Sequence, residues 1–150
     1  MNVYRITYTK YANDLSGEGS KLFGSRWNYP GFYCLYAADS RALAMLEFAV
    51  NTKLEDIPRA LSVITYNIPD QFHPLSIPDL PGNWNNPKIP DDTRELGTKL
   101  LREAKHIAIR VPSVIIHEEY NFLINPRHPD MKKVTITSIS DFSFDVRLKK

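Results

Sequence analysis

At 150 residues, 43% of them hydrophobic and 24% charged, the chain has the size and make-up of one compact domain, able to bury roughly 70% of the surface it exposes unfolded. A single cysteine excludes an internal disulfide, and a net charge of +2 with both signs interspersed lacks the basic stripe of a nucleic-acid binder. No run of 18 apolar residues occurs and Met1 leads straight into NVYRITYT, so neither a membrane span nor a signal peptide is expected and a cytoplasmic protein is.

In chain order, NVYRITYT (Asn2 to Thr9) alternates two faces of β-forming residues and predicts a strand. A long loop follows, punctuated by Gly17, Gly19, Gly24, Pro30 and Gly31. FYCLYAA (Phe32 to Ala38) reads as a buried strand with Phe32, Cys34 and Tyr36 on one side. Asp39 or Ser40 supplies an N-cap, and RALAMLEFAV continues as a helix apolar nearly all round. ALSVITYNI (Ala60 to Ile68) predicts another strand.

Pro69 to Pro90 carries six prolines in 22 residues, which predicts an extended excursion or a lid without regular structure. Asp92 and Glu95 form a D-x-x-E capping box for a helix of about twelve residues with Leu96, Leu100 and Leu101 on one face. HIAIRV and VIIHEEYNFLINP read as strands broken at Pro112, and KKVTITSISDFSFDVRL as one or two more. Six or seven strands and two main helices without a βαβ rhythm make the fold class α+β. Neither a G-x-G-x-x-G nor a Walker-type loop is present.

Four residues sit oddly in segments that otherwise read as core or strand. Glu47 falls in the stripe Leu43, Leu46, Glu47, Val50, where an unpaired buried carboxylate is costly. It therefore requires a cation, a raised pKa or a cleft, and Arg26, after the glycine-rich loop, is its candidate partner. A structural ion pair and a cleft carboxylate are both open readings. Arg26 also suits a fixed bidentate contact to phosphate or carboxylate. Tyr36 reads either as a core tyrosine or as an aromatic face for a planar ligand, and Arg5 interrupts a β-forming run. A site taking phosphates, a planar ring and a developing positive charge accounts for all four.

Cys34 reads as a small buried hydrophobe. His73, His106, His117 and His128 show no metal-pair spacing, and HEEY at 117–120 lacks the second histidine of H-E-x-x-H, so no metal site is expected.

The blocks YRI (Tyr4 to Ile6), GSRWN (Gly24 to Asn28), GFYCLYAADSRALAMLE (Gly31 to Glu47), RVPS (Arg110 to Ser113) and NFLINPRHP (Asn121 to Pro129) resemble the RES domain family, toxins of bacterial RES–Xre toxin–antitoxin pairs. The resemblance spans nearly the whole chain and is least apparent at Pro69 to Pro90. It implies a single RES domain over 1–150 with an ADP-ribosyltransferase-like split, curved antiparallel sheet around a cleft. It implies NAD⁺ as substrate, with no further cofactor, cleaved at the nicotinamide–ribose bond by water or phosphate. Transfer of ADP-ribose to a bacterial protein is an alternative. The resemblance carries catalytic roles to Glu47, Arg26 and Tyr36, and NAD⁺-binding, cleft-lining roles to Arg5, Arg26, Tyr36 and Ser113. It also implies an Xre-like antitoxin partner held in a hetero-oligomer, with no direct contact to nucleic acid or membrane. Outside the family reading, a non-catalytic partner-binding module and a ribonuclease are the rivals, the latter weakened by the lack of a basic stripe and of a catalytic histidine pair.

Overall fold

The computed structural model describes residues 1–57 and 60–149. Among these residues seven strands form one sheet: β1 (Asn2–Tyr8), β2 (Leu35–Ala38), β3 (Leu61–Asn67), β4 (Phe72–Pro74), β5 (Ala108–Pro112), β6 (Tyr120–Ile124) and β7 (Thr135–Phe142). Three α-helices accompany them, α1 (Glu18–Phe23), α2 (Arg41–Asn51) and α3 (Asp91–Glu103). The strand order is β4-β5-β6-β2-β1-β3-β7. The fold is α+β, and the sheet is mixed rather than wholly antiparallel, because β4 runs parallel to β5.

The join between β1 and β2 positions everything that follows. β1 pairs with β3 along its full length, Asn2 opposite Asn67 through Tyr8 opposite Leu61. Toward β2 it makes one paired position, Tyr4 opposite Ala38. Two half-sheets therefore meet at a single rung and diverge beyond it, which is the split that the family resemblance implies.

Alternation sorts the apolar residues of the central strands onto two faces, as the strand period of two requires. Ala108, Phe122 and Ile124 pack with Val3, Leu35, Ile64 and Tyr66 on one face. Ile109, Val111 and Leu123 pack with Trp27, Cys34, Trp84 and Leu101 on the other. A third cluster, Ile6, Ala38, Leu43, Ala44 and Val63, seats α2 over the β1–β2 junction. Ser40 caps α2, its side chain accepting the Leu43 N–H at 3.0 Å.

Several local expectations are corrected. α2 is not apolar all round: Leu43 is buried, but Val50 is 64% exposed, so Glu47 sits on the flank where the helix leaves the core. α3 begins at Asp91 without the D-x-x-E box; Pro90 holds the cap position and makes no side-chain cap bond. Asp91 and Asp92 in the first turn suit the positive helix end instead. The loop before β2 contains α1, admitted by Gly17 (φ 69°) and ended by Gly24 (φ 70°). Residues 114–119 form a turn rather than a strand, closed by the Ser113 N–H donating to Glu119 O at 2.8 Å.

The proline-rich segment is not without regular structure, and Pro87 and Ile89 near its end line the cavity of the candidate site. It supplies the edge strand β4, where a terminal proline is tolerated, and a 3-10 turn at Ile77–Asp79. Leu75 and Trp84, 6% and 5% exposed, anchor it in the core. Among the described residues no helix is long and apolar enough to cross a membrane.

Candidate active site

A cavity of about 700 Å³ opens where β1 and β2 diverge, a volume in the range of small-molecule sites. Tyr4 and Arg5 line it from β1, Tyr36 and Ala38 from β2, Glu47 and Phe48 from α2, and Arg26 from the loop after α1. The sheet split thus brings four of the five sequence-predicted residues to one cavity: Arg5, Arg26, Tyr36 and Glu47. The fifth, Ser113, is fully buried and lies behind Glu47 instead of in the cavity wall.

Glu47 is fixed through one oxygen. Ser113 Oγ donates to Glu47 Oε1 at 2.9 Å and Asn121 Nδ2 donates to the same atom at 2.7 Å. Ser113 is itself oriented by accepting the N–H groups of Ile115 (3.0 Å) and Ile116 (3.2 Å). Its one hydroxyl proton is thereby committed to the carboxylate. Oε2 has no protein partner among the described residues, so the carboxylate is held rigidly by one edge and presents the other to the cavity.

Arg26 does not pair with Glu47. The ion pairs among the described residues are Lys105–Glu103, Lys133–Asp130 and Arg147–Asp145, all near the surface. Arg26 Nη1 donates to the Trp84 carbonyl at 3.0 Å. Burial lowers the guanidinium's pKa from its usual value, and the field of Glu47 opposes that shift. The guanidinium remains charged. The structural ion pair considered for Glu47 gives way to two groups of opposite charge lining one cavity without touching.

The loop that carries Arg26 is pinned on every side. Arg94 Nε donates to Ser25 O at 3.0 Å, and the Tyr29 N–H donates to Thr98 Oγ1 at 3.0 Å, both from α3. α3 approaches so closely that a Cβ on Gly97 would lie 1.9 Å from the Trp27 carbonyl oxygen. Inside the loop Asn28, fully buried, donates to the carbonyls of Ser20 (2.9 Å) and Phe32 (3.0 Å).

Tyr36 completes this frame. Its hydroxyl donates to Asn28 Oδ1 at 2.5 Å and accepts the Trp27 N–H at 3.3 Å. Burial holds the phenol pKa well above its ordinary value, so the group is a neutral hydrogen-bond donor at pH 7. The hydroxyl is sunk into the loop while the ring lines the cavity. Cys34, two residues earlier, is fully buried and its thiol is pushed up to about 12 by desolvation.

Asn28 and Asn121 were not singled out from the sequence, although each stands as a lone amide within an otherwise apolar or aromatic stretch. That is the signal that could have found them, since a buried amide must be satisfied. Trp84 contributes through a backbone carbonyl and leaves no signal in its side chain. The histidines lie elsewhere: His73 stacks on His106 with ring centroids 5.1 Å apart, and His117 rests on Trp84. Among the described residues no three histidine, cysteine or acidic side chains are grouped to hold a metal ion.

Comparison with known proteins gives a consistent picture. "Prs ADP-ribosylating toxin" of a Sphingobium species is 35% identical over 144 residues, covering 93% of this chain and 89% of that protein. "Toxin Res" of Photorhabdus laumondii is 35% identical over 153 aligned positions, covering 100% and 98%. "Toxin Res" of Yersinia enterocolitica is 34% identical over 99% of this chain and all of that one. Among solved structures, the Mycobacterium tuberculosis MbcT–MbcA toxin–antitoxin complex contains a chain of the same fold, with a TM-score of 0.74 at 21% identity over 95% of this chain and 84% of that one. The RES domain model matches residues 2–146, and the chain belongs to the RES domain family.

Proposed function

We propose that this protein is the toxin of a toxin–antitoxin pair and that it cleaves the nicotinamide–ribose bond of NAD⁺. The observation that carries the reading is Glu47. Its Oε1 is locked by Ser113 and Asn121, and its other oxygen is left for a ligand in a 700 Å³ cavity that also holds Arg26 and Arg5. The names of the relatives, toxins and in one case an ADP-ribosylating toxin, support the toxin reading, and the matched solved structure, a toxin–antitoxin complex, supports an antitoxin partner.

The chemistry follows from charge. When the glycosidic bond breaks, its electron pair moves to the pyridinium nitrogen, which becomes neutral, so the leaving group needs no proton. The ribose carbon becomes oxocarbenium-like, as in glycoside hydrolysis. A carboxylate fixed in advance near that centre stabilises it without reorganising, and one carboxylate suffices because no general acid is required. Glu47 has this role through Oε2, which also accepts from ribose hydroxyls. Arg26 and Arg5 hold the pyrophosphate, and the ring of Tyr36 bounds the nicotinamide–ribose end. Ser113 and Asn121 orient Glu47, and Asn28 orients Tyr36. Water or phosphate then adds to the ribose carbon, depleting NAD⁺.

Incubating the purified protein with NAD⁺, with and without inorganic phosphate, and following proton and phosphorus NMR tests this. Free nicotinamide is expected, and the phosphorus spectrum identifies the acceptor. The relative named an ADP-ribosylating toxin favours one second reading, transfer of ADP-ribose to a bacterial protein. Labelled NAD⁺ in a cell lysate separates the two, since transfer leaves label on a protein.

A further inference from the structure

We propose that the contact between His117 and Trp84 acts as a spacer that fixes the separation of Arg26 from Glu47, making His117 a positioning residue; its effect on turnover rests on the function proposed above. Each side of the cavity is held from behind by a different segment. Arg26 is held by the Trp84 carbonyl, at 3.0 Å. Glu47 is held by the Ser113 hydroxyl, at 2.9 Å.

Those two supports come from distant parts of the chain. Trp84 belongs to the proline-rich segment and is 5% exposed, packed in the cluster of Trp27, Leu75 and Val111. Ser113 begins a turn closed on itself: its N–H donates to Glu119 O at 2.8 Å, and the Glu119 N–H donates to Ile116 O at 3.0 Å. Its hydroxyl accepts the Ile115 and Ile116 N–H groups. Val114 anchors the start of this turn on the Trp84 cluster.

His117 lies on the far side of the same turn. Its ring centroid is 5.0 Å from that of Trp84, with the planes inclined at 57°. His117 is exposed, and its ring makes no hydrogen bond among the described residues. The indole is therefore its evident contact. The contacts close a loop from Arg26 through Trp84 and His117 to Ser113 and Glu47. A small shift at the ring pair moves one charge relative to the other, and misplacements of about 1 Å at such sites cost up to about a hundredfold in rate.

The test compares full-length wild type with His117→Ala and with His117→Phe, which keeps a flat ring against Trp84. Three quantities are read: NAD⁺ turnover, the melting temperature, and the ¹⁵N–¹H signal of the Arg26 side chain in the ligand-free protein, identified by its loss in Arg26→Lys. His117→Ala is expected to lower kcat about tenfold, with less effect on KM, and to shift the Arg26 signal while melting is little changed. His117→Phe is expected to restore both. If His117→Ala does not fold, His117→Leu takes its place. An unmoved Arg26 signal in the alanine or leucine variant, or no recovery of it in His117→Phe, overturns the proposal. Absence of NAD⁺ turnover in the wild type would sink the proposed function alone, and the Arg26 signal would still decide the spacer.

Discussion

Asn121 on β6 reaches across to α2 and donates to Glu47 Oε1 at 2.7 Å, the same oxygen that Ser113 engages. With both donors on one atom, the carboxylate plane is set before any ligand arrives. Asn121→Ala and Ser113→Ala should each lower kcat/KM for NAD⁺ about ten- to hundredfold by loosening Glu47. Asn121→Asp should do worse, because it replaces the amide donor at Oε1 with a second negative charge. Steady-state kinetics on the three variants checks this; equal activity of Asn121→Asp and wild type would remove the amide from the mechanism.

Gly97 is required by α3's approach to Trp27. A Cβ there would meet the Trp27 carbonyl oxygen at 1.9 Å and its carbonyl carbon at 2.8 Å. Both partners are backbone and neither can swing aside. Gly97→Ala, normally favourable in a helix, should instead cost about 2–3 kcal/mol and lower the melting temperature about 5–10 °C. Thermal unfolding that shows a gain would mean α3 sits further from the loop.

The hydroxyl of Tyr36, more than its ring, ties β2 to the Arg26 loop. Tyr36→Phe keeps the aromatic face toward the cavity but orphans Asn28 Oδ1, on a residue that is fully buried, and frees the Trp27 N–H. A loss of about 1–3 kcal/mol in stability is expected, together with weaker NAD⁺ capture. Denaturant titration and calorimetry would expose the opposite case, in which Phe behaves as wild type and stacking alone matters.

Much of this was legible in the chain. The strand and helix carrying Tyr36 and Glu47 follow from alternation and the Ser40 cap, and the four intrusive polar residues share one cavity. What the sequence hid has physical causes. The proline-rich segment looks structureless because its order comes from two buried anchors, Leu75 and Trp84, and from pairing with β5, not from local propensity. The partner of Arg26 is a backbone carbonyl, which no residue type advertises. Glu47 invited a cation because charge is the obvious remedy for burial, yet two neutral donors from β6 and the 113–119 turn supply it. Those donors are 66 and 74 residues away in sequence, beyond any periodicity argument.

Cys34 gives a pH signature. Its thiol is fully buried and pushed up to about 12 by desolvation. Well below pH 8.5 the thiol is protonated in both folded and unfolded chains, and the contribution to stability is complete. Above about pH 9 the unfolded chain loses the proton while the folded one keeps it, so stability falls toward pH 12, by up to about 1.4 kcal/mol per pH unit. Tyr36, whose phenol is also raised by burial, acts in the same direction. Denaturant midpoints should decline through this window, and Cys34 should resist thiol reagents at pH 8 until the protein unfolds. Fast labelling of the native protein would contradict its burial.

The most direct measurement is nicotinamide release from NAD⁺ by wild type and Glu47→Gln, followed by proton NMR alongside melting curves. Glutamine preserves an oxygen for Ser113 and Asn121 while removing the charge and replacing Oε2 with an amide donor. Release by the wild type, an unchanged melting temperature in the variant, and a rate lowered about a hundred- to thousandfold are expected. A folded Glu47→Gln protein that releases nicotinamide within about tenfold of wild type would contradict the role proposed for Glu47.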